Sequence, residues 1–138
     1  MKIALTLSIL AAGVLLAVEN SEPDAKTKVK PLQNELISTL KEVADIVDAQ
    51  AKADGLTSTF ETLQVQRPVL DAQLEAAETI QDRINAHKEI VELQKKIEVL
   101  AEGGKKTGEF GTVEYLKAKA ERLKAEIALE KAKSNGVK

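Results

Sequence analysis

Thr112–Lys133 reads TVEYLKAKAERLKAEIALEKAK, and within it Val113, Leu116, Ala120, Leu123 and Ile127 recur at alternating gaps of three and four. Residues three and four apart lie on one face of an α-helix, so this spacing draws a narrow apolar seam along a rod. Lys, Glu, Arg and Ala fill most of the remaining positions, and all four favour helix. A seam this narrow suits a helix that packs against another helix. It offers no group that could do chemistry.

Working outward, the preceding stretch 103–111 (GGKKTGEFG) holds four glycines in nine residues and predicts a loop. Thr112 is placed to cap the helix that follows, with Glu114 in its first turn, and Ser134-Asn135-Gly136 ends it. Upstream, Ile80, Ile84, His87, Ile90, Val91, Ile97 and Leu100 predict a long helix that starts at the Thr79/Asp82 pair and stops at Gly103-Gly104. Earlier still, Pro31 suits the first turn of a helix striped by Leu32, Leu36, Ile37, Leu40, Val43, Ala44 and Val47, with a stop at Asp54-Gly55. Thr57 or Ser58 is expected to cap a segment carrying Phe60 and Leu63, and Pro68 predicts a break near Gln66. No window alternates as a strand would. The expected fold is therefore all-α: an elongated antiparallel helical hairpin, coiled-coil-like, with the earlier helices packed alongside over residues 31–134 and a short tail at 135–138. Helices of about 20 residues would make the hairpin about 30 Å long.

The N-terminus reads differently. Met1-Lys2 precedes an uncharged apolar run, Ile3–Val18 (IALTLSILAAGVLLAV). A basic start and a run of this length predict a secretory signal over 1–18, or an anchor if it is not cleaved. Glu19–Lys30 (ENSEPDAKTKVK) is polar and predicts a linker. The chain has no cysteine, which excludes a disulfide or a lipid anchor at Cys. Charge is split: residues 18–85 hold 7 Lys/Arg and 13 Asp/Glu, a balance of −6, and residues 86–138 hold 12 and 9, a balance of +3. Such halves can attract one another within a copy or between copies. With aromatic residues at 2% and alanine-rich seams, the core is small, and pairing with a second copy or another helical protein is expected.

Residues able to do chemistry are scarce. His87 lies on an apolar face without a second ligand type, so no metal site is expected. Glu98/Glu102 and Glu126/Glu130 share helix faces at i,i+4 spacing, as solvating carboxylates do. Gly104–Thr107 (GKKT) has neither the glycine spacing nor the preceding strand of a phosphate loop. Basic residues interleave with acids and few aromatics accompany them, which argues against nucleic acid. No catalytic residue, cofactor or metal is nominated.

The run from Ala101 onward resembles the helical-tip region of TolC-type outer-membrane efflux proteins, which carry a Gly-containing turn, then Ser/Thr-x-Asp/Glu-x-Leu-x-Ala, then Leu-x-Ala-Glu-x-x-Leu-x-x-Ala. Thr112, Glu114, Leu116 and Ala118 match the first motif; Leu123, Ala125, Glu126, Leu129 and Ala132 match the second. The likeness spans residues 69–133. It implies that Gly108, Gly111 and Thr112 form a partner-contacting turn at the tip of a periplasmic hairpin. The chain lacks amphipathic β segments for a barrel, and its glycine loop is longer than the family's turn. The resemblance thus extends to a hairpin from a short exported relative, not to a tunnel. The function expected is an exported, non-enzymatic helical interaction protein of the cell envelope. A periplasmic holdase and a membrane-anchored helical spacer are the alternatives.

Overall fold

The computed structural model describes residues 25–56 and 59–136. Among these the chain is all-helical, with no strand: α1 (Ala25–Ala53), α2 (Phe60–Gln64), α3 (Gln66–Ala76), α4 (Ile80–Thr107) and α5 (Thr112–Asn135). The expected signal segment, residues 1–18, lies outside the described residues. No helix among them is long and apolar enough to cross a membrane.

The centre of the fold is α4, because its apolar residues occupy more than one face. Leu93, Ile97 and Ala101 pack with Leu63 of α2 and Ala118 of α5, flanked by Phe60, Leu70 and Leu100. One turn or more back, Ile90 and Val91 pack with Ala125 and Leu129 of α5, flanked by Leu70, Leu74 and Ile84. The inner face of α5 thus presents two alanines and a leucine to α4. The helix α1 stands at the edge, touching only α2 and α3, while α5 touches only α4.

The chain reverses along this series. Lys30, near the start of α1, pairs with Glu78 beyond the end of α3. Gly104 meets Phe110 at one end of α4 and α5, Glu98 meets Arg122 midway, and Gly136 lies beside Ile80 at the other end.

Several boundaries depart from the sequence expectations. The first helix begins at Ala25, so Ala25–Lys30, expected as linker, is helical and Pro31 lies inside the helix. Proline donates no backbone hydrogen bond, and the helix continues past that missing bond. The second break falls at Val65, so Pro68 is the third residue of α3. There its missing N–H would have had no helical partner. The cap of α2 is Thr59: its hydroxyl accepts the Thr62 N–H at 3.1 Å, and the Thr62 hydroxyl accepts the Thr59 N–H at 2.9 Å. Thr79 caps α4 as expected, accepting the Asp82 N–H at 3.0 Å.

The expected nine-residue glycine loop is shorter in the structure. Gly103–Thr107 continues α4, and only Gly108–Gly111 forms the turn. Glycine inside a helix costs about 1 kcal/mol relative to alanine, and at Gly104 packing explains its presence. A β-carbon there would collide with the ring of Phe110, which rests on the bare backbone. Gly108 has φ of 81°, the left-handed conformation that ends the helix.

Candidate functional site

The turn Gly108–Gly111 is built as a fixed cap. The Phe110 N–H donates to the Gly104 carbonyl at 3.0 Å, closing the turn. The Thr107 hydroxyl donates to the same carbonyl at 3.1 Å. On its other side Phe110 meets Phe60 of α2, with ring centroids 5.5 Å apart and planes tilted by 53°, a favourable aromatic geometry. The Lys105 ammonium sits 4.9 Å from the centre of the Tyr115 ring. This leaves Gly108, Gly111 and Thr112 exposed at the end of the rod. Thr112 is the first residue of α5 and not its cap; Gly111 holds the cap position, and no side chain bonds there.

The predicted seam of α5 faces away from its own chain. Val113, Leu116, Leu123 and Ile127 are between 43% and 58% exposed, and Ala120 is exposed beside them. The face that meets α4 is the opposite one, carrying Ala118, Ala125 and Leu129, none more than 9% exposed. The contact with α4 therefore uses a second set of residues, two alanines and a leucine, and the seam remains open.

A second open stripe lies on α1. Its apolar residues form a wide arc that divides in two. Ile37, Leu40, Ala44 and Val47 are partly covered and Ala51 is buried. Val29, Leu32, Leu36, Val43 and Ile46 lie beside them at gaps of three, four, seven and three, and all are 46% exposed or more. The sequence reading placed Leu32, Leu36 and Val43 on one stripe with the covered residues. A wide apolar arc gives no sign of which half its neighbour will cover.

Between α4 and α5, Arg122 links Glu98 across the helices and Glu126 on its own helix, the latter at 2.7 Å. These two carboxylates, Glu98 foremost, hold its guanidinium above its ordinary value. Sequence reasoning treated Glu98 and Glu126 as solvating charges and missed this clamp. Of their i,i+4 partners, Glu102 pairs with Lys106 and Glu130 with Lys133. His87 is half-buried on α4. Among the described residues, no three His, Cys, Asp or Glu side chains gather as metal ligands would.

One further concavity, an open groove of about 580 Å³ between α2, α3, α4 and α5, is lined by residues that include Phe60, Pro68, Gln94, Ile97, Lys117 and Glu121. Its lining contains neither a histidine nor a hydroxyl that its carboxylates could activate. The arrangement favours pairing of helices: two long apolar stripes, edged by charge, on the outermost helices. Comparison with protein-family models, curated proteins and solved structures finds no match.

Proposed function

We propose that this chain is an exported, non-enzymatic helical interaction protein of the bacterial cell envelope. In this reading α4 and α5 act as an antiparallel, coiled-coil-like hairpin, similar to part of a TolC-type efflux component, and the partner is a second copy or another helical envelope protein. One observation carries the reading: large apolar side chains line the open faces of both outer helices at helix-pairing intervals. Contiguous exposed apolar patches of this kind mark interaction sites. The rigid turn supports a contact role for Gly108, Gly111 and Thr112 at the tip, because its shape is set before any partner arrives.

In-cell photo-cross-linking tests this reading, with the cross-linker placed at Leu116 on the seam, at Thr112 on the tip, and at Glu102 as a control. Discrete products from Leu116, lost on Leu123→Glu, are the expected result. Products from Thr112 that disappear when Gly108 and Gly111 are both replaced would assign the tip as well. Equal, diffuse labelling from all three positions would refute the reading.

A further inference from the structure

The stripes on α1 and α5 match each other in spacing and length, and their charged edges are opposite. On α1, Val29, Leu32, Leu36, Thr39, Val43 and Ile46 run at gaps of three and four. On α5, Val113, Leu116, Ala120, Leu123 and Ile127 do the same. At 1.5 Å per residue these are about 26 Å and about 21 Å long. The open edge of the α1 stripe carries Glu35 and Glu42, seven residues apart, with Lys28 at its end. One edge of the α5 stripe carries Lys117, Lys124 and Lys131, also seven apart. All are exposed. Among the described residues Glu35, Glu42, Lys117 and Lys131 form no ion pair, while Lys124 pairs with Glu121 at 2.6 Å. The far edge of the α5 stripe holds Lys119 and Glu126, and Glu126 is already engaged by Arg122.

Within one copy α1 and α5 do not touch, so neither stripe covers the other. We infer that the α1 stripe of one copy docks in parallel on the α5 stripe of a second copy, with Glu35 and Glu42 beside Lys117, Lys124 and Lys131. This deepens the interaction reading above and rests on it. Orientation follows from heptad geometry. Glu35 and Glu42 each precede the first residue of a three-residue gap, Lys117 and Lys124 each follow the second, and Lys131 continues their seven-residue interval. Those two positions face each other when paired helices run parallel. Because α1 and α5 run in opposite directions within a copy, a parallel pairing turns the second copy end over end.

Charge reversal on the full chain tests the pairing. One variant carries Glu35→Lys and Glu42→Lys; another carries Lys117→Glu, Lys124→Glu and Lys131→Glu. Sedimentation should show self-association weakened by about tenfold or more in each variant alone, because like charges then face one another. An equimolar mixture of the two should associate again, since every acidic edge then finds a basic one. Moderate sodium chloride should loosen the wild-type assembly as well, a readout that needs no substitution. Wild-type association that persists in either variant, or a mixture that fails to recover it, overturns the α1–α5 pairing. If seam cross-links to another protein remain, the broader interaction reading stands. A monomeric wild-type chain also overturns the pairing, and the seam cross-links then decide the broader reading by themselves.

Discussion

The helices α1 and α4 are 29 and 28 residues long and differ mainly in how much they bury. Ile90, Val91, Leu93 and Ile97 of α4 are 7% exposed or less, whereas the only buried apolar residue among the described side chains of α1 is Ala51. Both sequences are striped with Leu, Ile and Val. The difference lies in position: α4 is enclosed by α2, α3 and α5, while α1 has a neighbour on one side only. The same apolar content is therefore enclosed in one helix and stays open to solvent in the other.

The largest expected effect breaks that comparison most plainly. Leu93→Ala should cost about 2–5 kcal/mol in urea unfolding, since it leaves a cavity in the central cluster. Leu36→Ala, measured under dilute conditions where the chain is monomeric, should stay within about 0.5 kcal/mol. Equal losses would mean that α1 is as much part of the core as α4.

A second effect concerns the tip. Gly104→Ala should cost about 1–3 kcal/mol, because the new methyl meets the Phe110 ring. In a Phe110→Ala background the same change should gain up to about 1 kcal/mol, alanine being the better helix former. The sign reversal in this double-mutant cycle would establish that the ring, and not the backbone conformation, requires glycine.

Smaller still, Arg122→Ala should lower the thermal midpoint, and Arg122→Lys should recover little of it. One ammonium cannot reproduce a planar fork that serves Glu98 and Glu126 together.

The smallest effect is on the exposed surface of α4. The hydrogen bond from Lys106 holds the Glu102 carboxyl below its ordinary value. Whatever this pair contributes is present above the ordinary carboxylate range and is lost as pH falls through the lowered value. The pair is exposed and screened, so Lys106→Ala should produce no measurable change in midpoint at neutral pH, and none in acid.

Much of the helical content was legible in the sequence. The periodicities at Ile80–Leu100 and Val113–Ile127, the Thr79 cap and the break ahead of Pro68 each have a local cause that spacing reveals. Gly103 and Gly104 read as loop because glycine signals a turn locally, and only the long-range contact with Phe110 explains its place in a helix. The seam of α5 was legible as an apolar stripe, but not as an exposed one. Alanines at 118 and 125 also form a face, and hydrophobicity alone does not rank Ala-lined and Leu-lined faces by which neighbour is nearer. The Arg122 clamp escaped notice because Glu98 lies 24 residues away in sequence, beyond the reach of any helical spacing rule.

Sedimentation velocity on the purified full chain from about 1 µM to about 100 µM, beside Leu36→Glu and Leu116→Glu, tests most directly whether the open stripes are pairing surfaces. The expected result is a mass that rises with concentration for the wild type and remains monomeric for both variants, with unchanged helical circular dichroism. A wild-type chain that stays monomeric throughout, or variants that associate as strongly as it does, would contradict the claim that the stripes pair copies of this chain.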